Sequence, residues 1–363
     1  MTTIKQWLRI TPLDTMFFKG SEPMTAGVDH EVRTVFPPLP VTLVGAIRTA
    51  VLGQRNIDPY QYTGDGTDDI VRRYPLLGTP DAPGFRLAGP LFAVTVAKGN
   101  EVFFPAPAHW HGDPKGAETR GSMSVTTAVP ATSLLTAVRL SGSTTNPLWL
   151  LDPRDHRRKS LAGWWANAAA FTTMAEAGSA DLLSLLVRKD FIKDFIPGKP
   201  AILPMSAFAV TEARTGIALE HPLRRVRQGH LYSSTHVRLW PEVTLLAGLS
   251  EALCPDTLDS DGIMQLGGER RMARYTALDG THIALPQQTC NSGQWAVAVS
   301  AVPWAEFEAA GLVGTTRASG PLVRMGGWNM KNGFHKKMTA WLPPGTVVHL
   351  SGQQALPFGF ISI

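Results

Sequence analysis

The segment from residue 216 to residue 239, Gly-Ile-Ala-Leu-Glu-His-Pro-Leu-Arg-Arg-Val-Arg-Gln-Gly-His-Leu-Tyr-Ser-Ser-Thr-His-Val-Arg-Leu, has two strand-like runs on either side of a cationic centre. In its second half, apolar residues alternate with polar ones: Leu231, Val237 and Leu239 against Tyr232, Ser234, His236 and Arg238. Alternation with a period of two residues is typical of a strand that is buried on one face only. The segment therefore predicts a β-hairpin whose polar set faces solvent.

The centre of this hairpin is strongly basic. Between His221 and Trp240 the chain has four arginines, three histidines and no carboxylate. Cations beside an aromatic side chain suit the phosphates and unstacked bases of single-stranded RNA. Charge runs are also typical of solvated surface hairpins that bind nothing, so the segment alone supports both interpretations.

The composition predicts a globular protein that works within an assembly. A chain of 363 residues favours two domains, and a hydrophobic content of 44% fits a folded protein. Charged residues make up 17% of the chain, against roughly 25% in an average soluble protein, which indicates surface hidden against partners. The net charge of +5 is modest, but basic residues cluster at the hairpin and at residues 154–159, 269–274 and 331–337. Such clusters favour an anionic polymer as ligand.

Cysteine usage and the N-terminal sequence predict a reducing compartment. Cys254 and Cys290 have no paired spacing, so neither a disulfide framework nor a zinc site is expected. The acidic run Gly64–Asp69 lacks the terminal glutamate of a calcium loop, and no other carboxylate cluster suggests a metal. Residues 1–7 do not resemble a signal peptide, and no run approaches the ~20 apolar residues of a membrane span. We therefore expect a cytoplasmic protein without metal or cofactor.

Strands mixed with a few helices, without regular βαβ spacing, predict an α+β fold. Residues 7–12 are strand-like, and residues 91–105 form an expected hairpin around Lys98-Gly-Asn100. Leu43, Ile47 and Val51 predict an amphipathic helix that follows the prolines of residues 37–40. Residues 111–150 are rich in Gly, Ser, Thr and Pro and predict a long loop, residues 161–186 predict a helix, and a short helix is expected around 304–310.

Seven segments, taken in order, resemble those of one family. They are Asp14–Met24, Phe36–Pro38, Gly45–Arg48, Gly89-Pro90 with Phe104–Pro107, Thr215–Leu219 with Gly229–Tyr232, Leu266–Ala273 and Pro343–Gly345. The family is that of the third subunits of the Cmr complex, which are RAMP-superfamily proteins of type III-B CRISPR effectors. The resemblance extends over residues 8–350, and it depends on the order of the segments because each one is short.

The resemblance implies two ferredoxin-like (RRM-like) domains, a projecting β-hairpin thumb and long loops, with no catalytic activity. We expect the N-terminal domain at residues 1–205, and the thumb and C-terminal domain at residues 206–363. Members of the family hold the 5′ repeat-derived handle of the CRISPR RNA beside the large polymerase-like signalling subunit. Partners implied for this chain are that RNA, the large subunit and the backbone RAMP subunits.

The resemblance also implies where RNA is bound. Guanidinium groups make bidentate contacts with phosphates, and glycines let the RNA backbone approach. The expected RNA-binding residues lie near the N-terminus, on the first helix, on the thumb and on a second loop: Lys19; Gly45 and Arg48; Arg224, Arg225, Arg227, His230 and Tyr232; and Gly267, Gly268, Arg270 and Arg271.

Two other functions stay open at this level. Related RAMP proteins are metal-independent endoribonucleases that process CRISPR precursor RNA with histidine acid–base chemistry. His221, His230, Tyr232 and His236 could supply such groups here. A protein–protein adaptor without RNA contact would explain the low charge content, but not the clustered arginines.

Overall fold

The computed structural model describes residues 2–21, 31–131, 147–150, 157–184, 195–220, 225–253, 256–278, 283, 285–286, 295–329, 334–350, 352 and 354–363. Its α-helices are α1 (Pro40–Gln54), α2 (Pro59–Thr63), α3 (Thr67–Arg73), α4 (Pro114–Arg120), α5 (Ala168–Ala177) and α6 (Trp304–Ala309). Short 3₁₀ turns occur at Pro75–Leu77 and Met205–Ala207. Among the described helices, none is both long and apolar enough to span a membrane.

The strands of the N-terminal half are β1 (Gln6–Pro12), β2 (Glu31–Val32), β3 (Leu87–Val96), β4 (Gly99–Pro105), β5 (Trp110–Gly112), β6 (Ser122–Thr127), β7 (Val129–Pro130), β8 (Leu148–Trp149), β9 (Lys159–Ser160), β10 (Trp165–Asn167), β11 (Ser179–Leu183) and β12 (Ile202–Leu203). Those of the C-terminal half are β13 (Ala209–Glu220), β14 (Arg225–Leu239), β15 (Val243–Leu249), β16 (Asp261–Gln265), β17 (Met272–Leu278), β18 (Trp295–Ala298), β19 (Val302–Pro303), β20 (Arg317–Ala318), β21 (Val323–Met325), β22 (Trp328–Asn329), β23 (Phe334–His335), β24 (Thr339–Leu342), β25 (Val347–His349) and β26 (Phe360–Ser362). The α+β fold class predicted from the sequence is confirmed.

An eight-stranded antiparallel sheet organises the molecule, in the order β12-β10-β4-β3-β15-β1-β17-β16. Its two faces carry different cores, because adjacent side chains of a strand point to opposite sides. Leu8 on β1 belongs to the core beneath α1, whereas its neighbour Trp7 belongs to a second core shared with α5. The sheet is therefore covered on both faces at its centre.

Helix α1 forms where the prolines and the apolar spacing predict it. Pro40 lies in the first turn, where a missing N–H costs nothing. Leu43, Ile47 and Val51 are almost fully buried against the sheet, as their four-residue spacing predicts. The hairpin of β3 and β4 is also confirmed, with Val96 paired to Gly99 at its turn.

The prediction of a long loop over residues 111–150 is wrong for its first part. Residues 114–120 form α4, capped by the Asp113 carboxylate and ended by Gly121 in the left-handed region. The following strand β6 alternates polar residues with the buried Met123 and Val125. The serines and threonines of β6 form the less buried face of a regular strand, so composition alone wrongly predicted a loop. Residues 132–146 lie outside the described part of the chain.

The helix predicted over residues 161–186 is shorter than expected. Asn167 caps the start of α5, where its side chain accepts a hydrogen bond from the Ala170 N–H. Gly178, with a positive φ of 67°, ends the helix. The flanking residues join sheets as β10 and β11, so only the middle of the predicted helix forms.

The eight-stranded sheet includes strands from both sides of residue 205. Strands β1, β3, β4, β10 and β12 precede this position, and β15, β16 and β17 follow it. A smaller sheet, in the order β20-β25-β18-β26, builds a third core around Phe307 and Phe360. The division at residue 205 and the two ferredoxin-like units stay predictions.

His109 is a buried titratable group at the join between β5 and the C-terminal region. Its ring stacks on Trp295 at 4.6 Å between centroids, with an interplanar angle of 19°. Burial, assisted by the nearby imidazoles of His111 and His349, lowers the pKa of His109 from 6.5 to about 3. The imidazole is therefore neutral in the folded protein over most of the acidic range.

We predict that His109 makes the free energy of unfolding depend on pH between about 6 and 4. Because its pKa is lower in the folded state, unfolding takes up a proton here, and stability falls as pH falls from the unfolded pKa towards the folded one. The change His109→Phe keeps an aromatic ring against Trp295 without this proton. Urea unfolding at several pH values should show a slope smaller by about 1.4 kcal/mol per pH unit. An unchanged slope would contradict the assignment.

Candidate nucleic-acid interface

Strands β13 and β14 form the antiparallel hairpin that the sequence predicts. Pairing runs from Ala209 opposite Leu239 to Ile217 opposite Leu231, and an irregularity follows before Glu220 meets Arg225. This register sets side chains of the two strands on a common face. Glu212 lies opposite His236, and Arg214 lies opposite Ser234.

A third segment lies along the other edge of β14. Met16 forms an isolated antiparallel bridge with Val237, and hydrogen bonds link their backbones in both directions. This pairing places Asp14, Thr15 and Phe17 next to the polar side chains of the hairpin base. Residues from the N-terminal segment and from the middle of the chain thus meet on one face.

The carboxylate of Asp14 binds three arginines at the hairpin base. It accepts hydrogen bonds from Arg271 at 2.8 Å and Arg238 at 3.0 Å, and Arg214 lies 3.6 Å away. The Thr15 backbone N–H is the largest influence that holds the pKa of Asp14 below its usual value, and the arginines add to it. Asp14 therefore stays ionised wherever these contacts exist.

Glu212 completes the charge balance of the base. Its carboxylate pairs with Arg238 in a short ion pair and with Arg214 at 3.4 Å. The hydrogen bond from Arg238 lowers the pKa of Glu212, and the same contact raises the pKa of Arg238. We call the set of Asp14, Glu212, Glu269, Arg214, Arg238 and Arg271 the base network, in which three carboxylates face three guanidinium groups.

His236 lies inside this base and is fully buried. Its Nδ1 is 3.2 Å from the Thr15 hydroxyl, its Nε2 is 3.1 Å from that of Ser234, and its ring stacks on Phe17. Burial lowers the pKa of His236, although Glu269 at 3.3 Å opposes this effect. The expectation that the polar set of β14 faces solvent is wrong here, because residues 14–18 cover that face.

The loop predicted at residues 266–271 is a tight turn against the same base. Gly267 has a φ of 90°, and a β-carbon there would overlap the carbonyl oxygen of Phe17. Gly268 approaches the Phe17 ring and donates its N–H to the Phe17 carbonyl at 2.8 Å. Both glycines thus have a packing role that is independent of any ligand.

Two consecutive arginines of this turn have different surroundings. Arg271 is largely buried and binds Asp14 and Glu269. Arg270 is exposed and has a φ of 54° in the left-handed region. Of the pair, only Arg270 presents its side chain freely to solvent.

The distal part of the hairpin carries the remaining predicted thumb residues. Arg225 is exposed and pairs with Glu220 at 2.6 Å. Tyr232 lies directly opposite Gly216, and its half-buried ring occupies the space that a β-carbon at Gly216 would need. Arg224 and the side chains of Arg227 and His230 lie outside the described residues.

The other predicted RNA ligands lie apart from this cluster. Lys19 is exposed, beside a backbone bridge to Thr34. Gly45 is exposed on α1 with open space above it. Arg48 is half-buried, donates hydrogen bonds to the Tyr62 hydroxyl and the Thr79 and Pro80 carbonyls, and stacks on the Tyr62 ring at 5.4 Å. Arg48 therefore fastens α1 to residues 62–80, and its role towards RNA stays a prediction.

An exposed apolar patch lies on the sheet strands next to the turn. Leu13, Ile263 and Met272 are 55%, 51% and 39% exposed. Ile263 on β16 and Met272 on β17 share one face, because the register sets Ile263 opposite Arg274 and Gln265 opposite Met272. Leu13 directly follows β1. The Leu13 N–H also binds the Met272 carbonyl at 3.0 Å. The sequence analysis missed this patch, since its residues come from three separate segments of the chain.

No group of three or more His, Cys, Asp or Glu side chains that could hold a metal occurs among the described residues. The chain matches a model of a family of CRISPR-associated proteins, Cas_Cmr3, over residues 8–357. The chain belongs to the Cmr3 family. The resemblance drawn from the seven short segments is confirmed by this match.

The fold is similar to that of a chain in the cryo-EM structure of type III-B Cmr-beta bound to cognate target RNA and AMPPnP, state 1. The TM-score is 0.52 at 15% identity, over 94% of this chain and 86% of that one. A chain in a cryo-EM structure of type III-B Cmr-beta bound to cognate target RNA gives the same values. A chain of the Csm3–Csm4 subcomplex of a type III-A interference complex covers 98% of this chain at a TM-score of 0.43 and 10% identity. No curated protein matches the chain.

We predict that Asp14→Asn loosens the base of the hairpin. The neutral amide loses ion pairs with three arginines and leaves their excess charge together. Because these groups are partly exposed, we expect a loss of about 1 kcal/mol in the free energy of unfolding. Urea denaturation checks the value, and amide hydrogen exchange in β13 and β14 shows where the protein loosens.

Asp69→Asn is the matched control for this change. It removes one exposed ion pair with Arg72 on α3, whose side chains are 82% and 78% exposed. The control should change stability by less than about 0.5 kcal/mol. Equal effects of the two variants would show that the base network does not hold the hairpin.

Proposed function

We propose that this chain is a non-catalytic RNA-binding subunit of a type III-B CRISPR effector. In this proposal it holds the 5′ repeat-derived handle of the CRISPR RNA and docks the large signalling subunit. Membership of the Cmr3 family supports an effector role. The distribution of charge along the β13–β14 hairpin supports RNA binding.

The charge distribution is the observation that carries the proposal. At the base, three arginines face three carboxylates, so this end of the hairpin has little excess charge. In the sequence, Arg224, Arg225 and Arg227 follow Glu220 with no further acidic residue before Glu242. The surplus of positive charge thus lies beyond the anchored base. A polyanion is attracted to that end of the hairpin.

The base network gives this distal end a fixed support. Ion pairs and the stacked His236–Phe17 pair tie β13 and β14 to residues 14–18 and 266–271. A rigid support reduces the entropy lost when a flexible single strand is bound. Tyr232, whose ring covers Gly216, is suited to stack a base on the hairpin that carries Arg225.

The endoribonuclease alternative loses one of its candidate groups. His236 is fully buried among Thr15, Ser234 and Phe17, so its ring cannot reach a phosphodiester bond. Tyr232 is half-buried against Gly216. His221 and the side chain of His230 lie outside the described residues. We therefore favour binding without cleavage.

The exposed patch of Leu13, Ile263 and Met272 supports a role as a docked subunit. Exposed apolar side chains that share one sheet face are typical of interaction sites. Arg274 lies within the patch, opposite Ile263, which suits a partner with some acidic character. We assign this patch to a protein partner of the effector, for which the large subunit is the first candidate.

We predict that Arg224→Ala/Arg225→Ala/Arg227→Ala weakens binding of handle RNA and reduces its dependence on salt. Each lost phosphate contact lowers the slope of log K against log salt by roughly 0.7, so the triple change lowers it by up to about 2. Fluorescence anisotropy with labelled handle RNA, measured at several salt concentrations, gives the slope. Incubation of the wild type with precursor RNA in EDTA tests cleavage in the same preparation.

The matched control removes three exposed cations elsewhere, as Arg72→Ala/Arg86→Ala/Lys115→Ala. This variant has the same net charge as the hairpin variant and should keep the wild-type slope. A similar loss in both would mean that net charge alone drives binding. Cleavage of precursor RNA in EDTA would replace the proposal with the nuclease alternative.

We predict that Ile263→Asp/Met272→Asp prevents docking without affecting RNA affinity. Both side chains are exposed, so the variant should fold, whereas two carboxylates in an apolar contact are strongly unfavourable. Recovery with the large subunit from a coexpressing host should fall about ten-fold or more, which corresponds to about 1.4 kcal/mol. Val313→Asp, at another exposed apolar position, should leave recovery unchanged. Normal recovery of the double variant would exclude this patch as the docking site.

A further inference from the structure

The positive charge of the chain is concentrated in its last part. Glu308 is the last carboxylate-bearing residue, and residues 309–363 contain Arg317, Arg324, Lys331, Lys336 and Lys337. The whole chain has 34 lysines and arginines and 29 carboxylates, which leaves 29 of each in residues 1–308. The entire net charge of +5 therefore resides in residues 309–363.

Two small sheets bring several of these cations together. Strand β21 pairs with β24, with Arg324 opposite Ala340, and β22 pairs with β23, with Asn329 opposite Phe334. The Lys336 N–H binds the Gly327 carbonyl at 2.7 Å, and the Lys336 side chain lies over Gly327. Lys336 therefore lies between the β21–β24 pair, which carries Arg324, and the β22–β23 pair, which carries Phe334.

The cations of this surface differ in how they are engaged. Arg317 donates to the Val313 carbonyl at 2.6 Å and stacks on Trp304 and Phe307, so it supports the third core. Arg324, Lys336 and Lys337 are exposed and form no ion pair with any described residue. Their charges are available to a ligand from outside.

An exposed aromatic ring accompanies these cations. Phe334 is 68% exposed, and its closest described ring is that of its neighbour His335, at 5.8 Å between centroids. Met338, on the other side of the lysines, is 52% exposed. An exposed phenylalanine two residues before a pair of exposed lysines has the chemistry of a single-strand binding surface, in which a base stacks on the ring and phosphates contact the cations.

We propose that this C-terminal surface, formed by Arg324, Phe334, Lys336 and Lys337, is a second binding site for single-stranded RNA. It is separate from the β13–β14 hairpin and does not depend on the function proposed for that hairpin. Phe334 stacks a base, and the three cations neutralise phosphates on either side. The lack of any carboxylate in residues 309–363 favours a continuous polyanion over a folded protein partner, whose surface carries charges of both signs.

The test uses the full chain carrying Arg224→Ala/Arg225→Ala/Arg227→Ala, so that the hairpin does not contribute. Fluorescein-labelled oligouridylate is the probe, and an abasic oligomer of equal length reports phosphate contacts alone. Lys336→Ala/Lys337→Ala should weaken binding of both probes and lower the salt slope by about 1.4. Phe334→Ala should weaken oligouridylate binding about five-fold or more, leave the abasic oligomer unaffected and keep the salt slope.

Phe334→Leu distinguishes base stacking from a general apolar contact. Leucine is apolar but cannot stack, so this variant should bind oligouridylate as weakly as Phe334→Ala does. Full recovery with leucine would overturn the stacking assignment, since an apolar protein contact would explain it. The control Arg72→Ala/Lys115→Ala should bind both probes like its parent, and an equal loss there would reduce the effect to net charge.

The two proposals fail in different measurements. If the hairpin does not bind RNA, its triple variant keeps wild-type affinity while the Lys336 and Phe334 variants still lose theirs. If the C-terminal surface does not bind RNA, changes at Phe334, Lys336 and Lys337 leave both probes unaffected. Lys336→Glu/Lys337→Glu adds a stronger test, because charge reversal should abolish residual binding. A melting temperature equal to that of the parent confirms that these exposed substitutions leave the fold intact.

Discussion

The carboxylate of Asp14 is the contact on which the arrangement of the candidate interface depends. It joins Arg214, Arg238 and Arg271, which come from the hairpin and from the turn after β16. Contacts between residues so distant in sequence must repay the entropy of closing long loops. Here several contacts together offset this entropy, because Glu212, Glu269 and the buried His236 belong to the same group of contacts. The hairpin is thereby fixed at its base.

Local periodicity was sufficient to predict several elements. The four-residue spacing of Leu43, Ile47 and Val51 gives α1, and alternation gives the hairpins. Periodicity could not predict that His236 and Ser234 are buried, because alternation identifies the two faces of a strand but not what covers each one. Residues 14–18 cover the second face, and the sequence of β14 itself gives no sign of this contact. The serines and threonines of β6 led to the wrong prediction of a loop for a similar reason, because the polar face of a strand has the same composition as a loop.

The arginines of the candidate site show a related limit of prediction from sequence. Arg270 and Arg271 are indistinguishable in sequence, yet one is exposed and the other is bound by Asp14 and Glu269. Arg48 likewise donates its hydrogen bonds to Tyr62 and to the carbonyls of residues 79–80. Whether an arginine is available to a phosphate depends on carboxylates and carbonyls that are distant along the chain. A list of basic residues therefore overestimates a nucleic-acid interface until the internal partners are known.

Once the internal pairs are subtracted, the charges left over are more informative than the total. Residues 1–308 contain equal numbers of cations and carboxylates, so positive charge can accumulate there only by spatial separation, as between the base and the end of the β13–β14 hairpin. Residues 309–363 have no acidic side chain, so any carboxylate partner of a cation there must come from residues 1–308. Arg317 is satisfied by a carbonyl and two aromatic rings. Among the described residues this leaves Arg324, Lys336 and Lys337, and the exposed Phe334 is two residues before Lys336. Charged residues are only 17% of this protein, and an exposed aromatic ring does not improve solubility. The position of Phe334 therefore argues that the ring and the nearby cations bind a ligand.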